Sequence, residues 1–189
     1  MRNFQLITRG VDVTHLHHAL IRQPELWNAE KFRTTYKNTP HSEVDDIIIR
    51  YSDKKKLDAE NTKKVQNDNG AVWYPAAAKL PEIKPLVVDL MHYIGAYELV
   101  RCVISRLKPG GRILPHADNV GAYVQIQGIA RYHIVVQGLP GSMYRCGEEN
   151  VNMQTGEVWW FNAHLEHEIV NGSADDRIHL IADVIQWPH

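Results

Sequence analysis

Leu99-Val-Arg-Cys-Val-Ile-Ser-Arg-Leu-Lys-Pro-Gly-Gly-Arg-Ile-Leu-Pro-His116 holds a β-branched run, a Lys108-Pro-Gly-Gly111 turn and a second short run ending on a histidine. The same texture continues downstream. After the runs 99–107 and 112–115 come 131–137, 142–146, 150–153, 157–161, 166–170 and 177–185, with turn signals at Gly138-Leu-Pro-Gly141 and Asn171-Gly-Ser173. Short strands at this close spacing predict a sandwich or barrel. Residues 99–185 therefore read as a β-jelly roll, in a chain that is mainly β with some helix (α+β).

Upstream the pattern differs. Residues 11–22 read as a helix, with Val13, Leu16 and Leu20 on one face, Asp12 or Thr14 as cap and Pro24 beyond the end. Residues 81–94 repeat Ile83, Leu86, Val87, Leu90, Met91 and Ile94 at helical spacing. Val44-Asp-Asp-Ile-Ile-Ile-Arg-Tyr51 reads as a strand, and the polar, lysine-rich 52–70 as a surface loop. The expectation is one domain over 1–189, with 1–98 as an N-terminal elaboration whose helices pack outside the 99–185 core.

Hydrophobic residues make up 44% and charged residues 23%, so a core can form without staples. A net charge of −1 supplies no bulk basic field for nucleic acid or an anionic membrane. No run approaches the roughly 20 apolar residues of a membrane span. Met1 to Arg9 lacks the apolar run and cleavage site of a signal peptide. Cys102 and Cys146 match no zinc or redox spacing; they read as reduced thiols, although they can meet in the fold. A cytoplasmic protein is expected. Trp187-Pro-His189 follows the last strand, so no large C-terminal dimerisation helix is expected, and the oligomeric state stays open.

The chemistry gathers around the jelly-roll run. His116 and Asp118 are two apart, so extended backbone sends both to one side. His167, in Leu165-Glu-His-Glu-Ile-Val170, alternates with Leu165 and Ile169 on the expected inner face; His164 is the competing histidine, read as a loop residue. Two imidazoles and one carboxylate can hold one face of a ferrous ion and leave the opposite positions open. Arg177 shares a face with His179, Ile181 and Asp183. An inward arginine in a barrel needs an anion, either an internal acid such as Asp183 or the carboxylate of a bound dicarboxylate. Arg131 and His133 share one face of another strand, and Ser105 can complete a carboxylate pocket. Trp159, Trp160 and Phe161 read as core, with Trp160 facing the other way. Together these residues point to an iron- and 2-oxoglutarate-dependent oxygenase.

Several of these segments resemble the aspartyl/asparaginyl β-hydroxylase family. They are Ser105-Arg-Leu-Lys-Pro-Gly-Gly-Arg-Ile-Leu-Pro-His116, Arg131-Tyr-His133, Gly156-Glu-Val-Trp-Trp-Phe161, Glu166-His-Glu-Ile-Val170, Arg177 and Ala182-Asp-Val184, with weaker matches at 41–50 and Trp73-Tyr-Pro75. The chain looks most like small members from bacteria and phages. The resemblance implies a double-stranded β-helix (cupin-like) fold, His116 and His167 as iron ligands, and Ser105, Arg131, His133 and Arg177 around 2-oxoglutarate. It implies hydroxylation of an amino acid, free or in a peptide or protein, using O2, with succinate and CO2 as coproducts. The best-known animal members carry glycine where this chain has Asp118, so their substrates do not transfer. Asp118 also argues against a halogenase, which needs that position vacated for chloride.

The 119–129 loop, with Tyr123, Gln125 and Gln127, reads equally as a wall over the iron or as an ordinary connection; His41 can point to the pocket mouth, and Arg50 reads first as paired with Asp45 or Asp46 at the surface, with a substrate carboxylate as the alternative. Three other readings stay open. They are a cupin-type metal enzyme that does not use 2-oxoglutarate, a non-catalytic binding module and a nucleic-acid-base oxygenase.

Overall fold

The computed structural model describes residues 1–56, 70–118 and 129–187. Tyr123, Gln125, Gln127 and most of the 52–70 segment lie outside the described residues. Among the described residues, eleven strands form two antiparallel sheets: β1 Phe4–Thr8, β2 Val44–Ser52, β3 Ala71–Trp73, β4 Ala96–Leu107, β5 Arg112–His116, β6 Ile129–Gln137, β7 Ser142–Cys146, β8 Glu149–Val151, β9 Val158–Phe161, β10 His167–Asn171 and β11 Arg177–Gln186. The larger sheet runs β1-β9-β6-β11-β4-β2-β3 and the smaller β5-β10-β7-β8. From β4 onward the chain crosses from one sheet to the other and back, which is the jelly roll read from residues 99–185.

Side-chain alternation divides each central strand between two cores. On β11, Ile178, Leu180, Ala182 and Val184 face outward with Ile47, Ile49, Cys102, Ile104 and Ile134. They pack against the helices α1 (Thr14–Arg22) and α4 (Ile83–Tyr93) through Leu16, Leu20, Ile83, Val87 and Leu90. Among the described residues, the one-turn helices α2 (Phe32–Thr35) and α3 (Ala76–Lys79) lie between them in the chain. Between the sheets lie Val44, Leu107, Ile113, Val135, Tyr144, Cys146, Trp159, Phe161 and Ile169.

Each helix end has a local cause. Asp12 Oδ1 accepts the Thr14 N–H at 2.9 Å, and Pro24 follows α1. Gly95, at φ +67°, lets the chain leave α4 in the left-handed region. The two cysteines are free and buried in different cores, Cys102 under the helices and Cys146 between the sheets.

Gly138 tests the packing of the turn after β6. A Cβ there would overlap the Met153 carbonyl oxygen and stand 2.7 Å from Val135 Cγ1. Backbone cannot yield as a flexible side chain does, so Gly138→Ala should destabilise by about 3 kcal/mol. That is a fall of about 6–12 °C for a chain this size, read by thermal denaturation. An unchanged melting temperature would mean the turn relaxes freely.

Candidate metal centre

The last residue of β5 and the first of β10 are paired directly, His116 against His167. Their rings therefore lie side by side, with centroids 4.2 Å apart. Asp118 follows just beyond β5, where its N–H donates to the Ala163 carbonyl at 2.8 Å. Ligand atoms of His116, Asp118 and His167 all lie within 4.8 Å of one another.

Both histidines are oriented by their own backbone. His116 Nδ1 stands 2.7 Å from the Leu114 carbonyl oxygen and His167 Nδ1 2.9 Å from that of Leu165. A carbonyl only accepts, so each Nδ1 carries the proton and each Nε2 keeps its lone pair for the site. Burial drives both rings towards the neutral form, pushing His167 down to about 4 and His116 below its ordinary value. Burial pushes the Asp118 carboxyl up. The positive charge of Arg131, with His167 and His116, outweighs it and leaves Asp118 below the usual carboxylate range. Neutral imidazoles beside an ionised carboxylate are what a divalent cation needs.

Leu165 does not share the inner face with His167. It is 39% exposed, because residues 163–165 form a turn and alternation begins only at β10. His164 is exposed in that turn. His41 packs edge-on against His116, ring centroids 4.9 Å apart, and its Nδ1 is buried without a hydrogen-bond partner. Arg50 points elsewhere: Nε donates to the Leu99 carbonyl at 2.9 Å and the guanidinium covers Trp73. Neither acid that sequence offered it is available, since Asp45 pairs with Arg106 and Asp46 with Arg33, each at 2.7 Å.

Deeper between the sheets lies a second polar cluster. Arg177 is 1% exposed, and its Nη2 donates to the Tyr144 hydroxyl at 3.0 Å. Its Nε and Nη1 are buried with no partner, and among the described residues no carboxylate pairs with it. Asp183 is not that partner. It lies six residues along the same strand, roughly 20 Å away, and is gripped by Arg131. Tyr144 Oη stands 3.4 Å from His133 Nδ1, which in turn is 3.1 Å from His179 Nδ1. His133 Nε2 has no partner. Burial drives His133 and His179 well below the ordinary histidine value, with the Arg177 charge adding to it. Ser105, fully buried, sits in register between Asp46 on β2 and His179 on β11.

An unpaired buried guanidinium beside neutral polar groups has the chemistry to receive an anion. Of the residues singled out from sequence, His116, Asp118, His167 and Arg131 meet at the rim, and Arg177, His133 and Ser105 lie deeper on the inner face. Tyr144 and His179 were not assigned, yet alternation along β7 and β11 places them inward. Arg33 carries no sequence signal. It sits in a one-turn helix, and its charge reaches nearly every titratable group of the site.

A rim cleft of about 650 Å³ lies beside Arg131, walled by Gln5, Ile7, Tyr93, Trp160, Asn162 and His164 among others; His116, Asp118 and His167 do not line it. Among the described residues, no helix is long and apolar enough to cross a membrane.

Comparison with known proteins agrees with this geometry. A family model described as aspartyl/asparaginyl beta-hydroxylase matches residues 47–186. Among solved structures, a prolyl hydroxylase from Trichoplax adhaerens, in complex with a hypoxia inducible factor oxygen degradation domain peptide fragment, superposes with a TM-score of 0.63 at 9% identity. That match covers 98% of this chain and 84% of that one. A 2OG-Fe(II) oxygenase family oxidoreductase from Burkholderia pseudomallei gives 0.56 at 15% identity, over 89% and 78%. The viral collagen prolyl hydroxylase of Paramecium Bursaria Chlorella virus-1, in its 2OG complex, gives 0.53 at 11% identity, over 99% and 97%. At these identities the likeness is one of fold.

Proposed function

Since the chain belongs to the aspartyl/asparaginyl β-hydroxylase family of 2-oxoglutarate- and Fe(II)-dependent oxygenases, we propose that His116, Asp118 and His167 are its iron ligands and that Arg177 receives the far carboxylate of 2-oxoglutarate. On this reading the enzyme hydroxylates an unactivated carbon of an amino acid, free or within a peptide or protein.

The observation that carries the reading is Arg177. Its two idle donors are buried on the larger sheet, opposite the smaller sheet that carries His116 and His167, with Tyr144 and His133 beside them. A metal enzyme that oxidised its substrate without a dicarboxylate would bury that cation for nothing, at a cost of several kcal/mol.

Bound iron and 2-oxoglutarate supply the oxidising power that inserts one oxygen atom of O2 into a C–H bond, as 2-oxoglutarate becomes succinate and CO2. The protein supplies position and dryness. His116 and His167 present oriented Nε2 lone pairs, Asp118 adds one negative charge, and Arg177 with Tyr144 orients the dicarboxylate by its far end. Phe161 and the His133 ring close the space between, with centroids 5.3 Å apart.

The test is an anaerobic titration of the metal-free protein with Fe(II) and 2-oxoglutarate, following the weak visible charge-transfer band of an iron-bound keto acid. A band in the wild type that vanishes in His167→Ala is the expected result. Fe(II) binding with no band would remove 2-oxoglutarate from the reading. Given a band, substrate-stimulated succinate formation then ranks candidate amino acids and peptides.

A further inference from the structure

The Asp118 carboxylate is divided between two directions. Its Oδ1 faces His116 Nε2 at 4.0 Å, whereas its Oδ2 accepts from Nη1 of Arg131. Arg131 is itself held. Nε and Nη2 donate to the two oxygens of Asp183 at 2.8 and 3.0 Å. Asp183 is 2% exposed and stands directly opposite Arg131 in the β6–β11 register, so the central sheet sets the fork's position. The Asp118 backbone is anchored separately by the Ala163 carbonyl.

We propose that Asp183, Arg131 and Asp118 form a positioning relay: Asp183 carries the Arg131 fork, and the fork clamps one oxygen of Asp118 so that the other alone is offered to the metal. This rests on the assignment of His116, Asp118 and His167 as the metal set. It gives Arg131 a task other than the cosubstrate contact that the family resemblance implies.

The physical case is one of ligand count. A free carboxylate can bind a cation through either or both oxygens. One whose second oxygen is spoken for offers a single ligand atom, and the positions opposite the facial set stay open. The planar guanidinium suits the task because it reaches Asp183 with two donors and Asp118 with a third. An ammonium is a point charge and cannot span both carboxylates in fixed geometry. Charge alone does not explain the arrangement. Arg131 repels a cation while Asp183 behind it attracts one, so the pair carries no net charge, and beyond the residual repulsion of the nearer Arg131 what it contributes is orientation.

That neutrality defines the experiment. Arg131→Met combined with Asp183→Asn removes one positive and one negative charge and leaves the net charge beside Asp118 unchanged. The metal-free wild type and double variant are titrated with Co(II) without 2-oxoglutarate, reading affinity and the intensity of the Co(II) visible absorption. The relay predicts at least a tenfold weaker Co(II) affinity and a changed absorption intensity as Asp118 turns. Affinity within twofold of wild type, with unchanged absorption, overturns it.

Arg131→Lys guards against a variant that fails to fold. It keeps the charge and the pairing with Asp183, and it should lose the same tenfold; full retention overturns the relay equally. The metal assignment fails in a different way. It falls if wild-type Co(II) binding is indifferent to His167→Ala, whereas the relay alone falls if binding needs His167 and ignores Arg131 and Asp183.

Discussion

Replacing Arg177 by methionine is expected to weaken 2-oxoglutarate binding by more than a hundredfold and, in the absence of cosubstrate, to leave the protein as stable as wild type or more so. The two effects have one origin. Arg177 is buried, and among the described residues the Tyr144 hydroxyl is its hydrogen-bond partner. A buried cation without a counter-charge costs several kcal/mol, and an apolar side chain of similar length removes that cost. The lost contact with Tyr144 returns about 1 kcal/mol of it. When the dicarboxylate is bound the balance reverses. Removing one partner of a buried, hydrogen-bonded ion pair costs about 3–5 kcal/mol, and each 1.4 kcal/mol is a tenfold change in affinity. Anaerobic calorimetry with 2-oxoglutarate reads the first effect and melting of the metal-free protein the second. A variant that melts well below wild type would show that Arg177 already has a partner in the empty protein. Undiminished affinity would place the dicarboxylate elsewhere.

That opposition of function and stability was partly legible in the sequence. Alternation along 177–185 put Arg177, His179, Ile181 and Asp183 on one face; Arg177, His179 and Asp183 are buried there and Ile181 is half-buried. It did not show which acid answered which base. Pairing between strands depends on register, which no single strand encodes. Thus Asp183 meets Arg131 rather than Arg177, and Asp46 meets Arg33 rather than Arg50. The same limit hid the partners of Tyr144 and His179, although each has an inward parity. The Phe4–Thr8 strand went unread for another reason. It is a short edge strand whose pairing partner, Val158–Phe161, lies at the far end of the chain, so it lacks the two-sided burial that marks the central strands. Leu165 failed because period-two reasoning was carried one residue too far, across the turn that precedes β10. His116, Asp118 and His167 do come together, within 4.8 Å of one another, because His116 and Asp118 are local neighbours and His167 begins a strand, so short-range geometry governs where each side chain goes.

Loss of that set is the largest effect expected on catalysis. His116→Ala should abolish 2-oxoglutarate turnover and also the stabilisation that a divalent cation gives the folded protein. At a metal concentration one hundred times its dissociation constant, binding to the native state alone contributes about 2.7 kcal/mol. For a chain of this length that raises the melting temperature by about 5–11 °C. The increment should vanish in His116→Ala and His167→Ala and persist in His164→Ala. His164 belongs to the same stretch and borders the rim cleft, but it lies on the exposed turn and outside the His-Asp-His set. The contrast matters because all three substitutions remove an imidazole from one end of the barrel, so a general loss of packing would affect the variants without regard to ligand geometry. Thermal melts with and without Mn(II) decide the matter. If His164→Ala also lost the increment, the ion would lie nearer the turn than the paired ends of β5 and β10 place it. If His116→Ala kept the increment, the metal would not need the imidazole whose lone pair the Leu114 carbonyl turns towards the site.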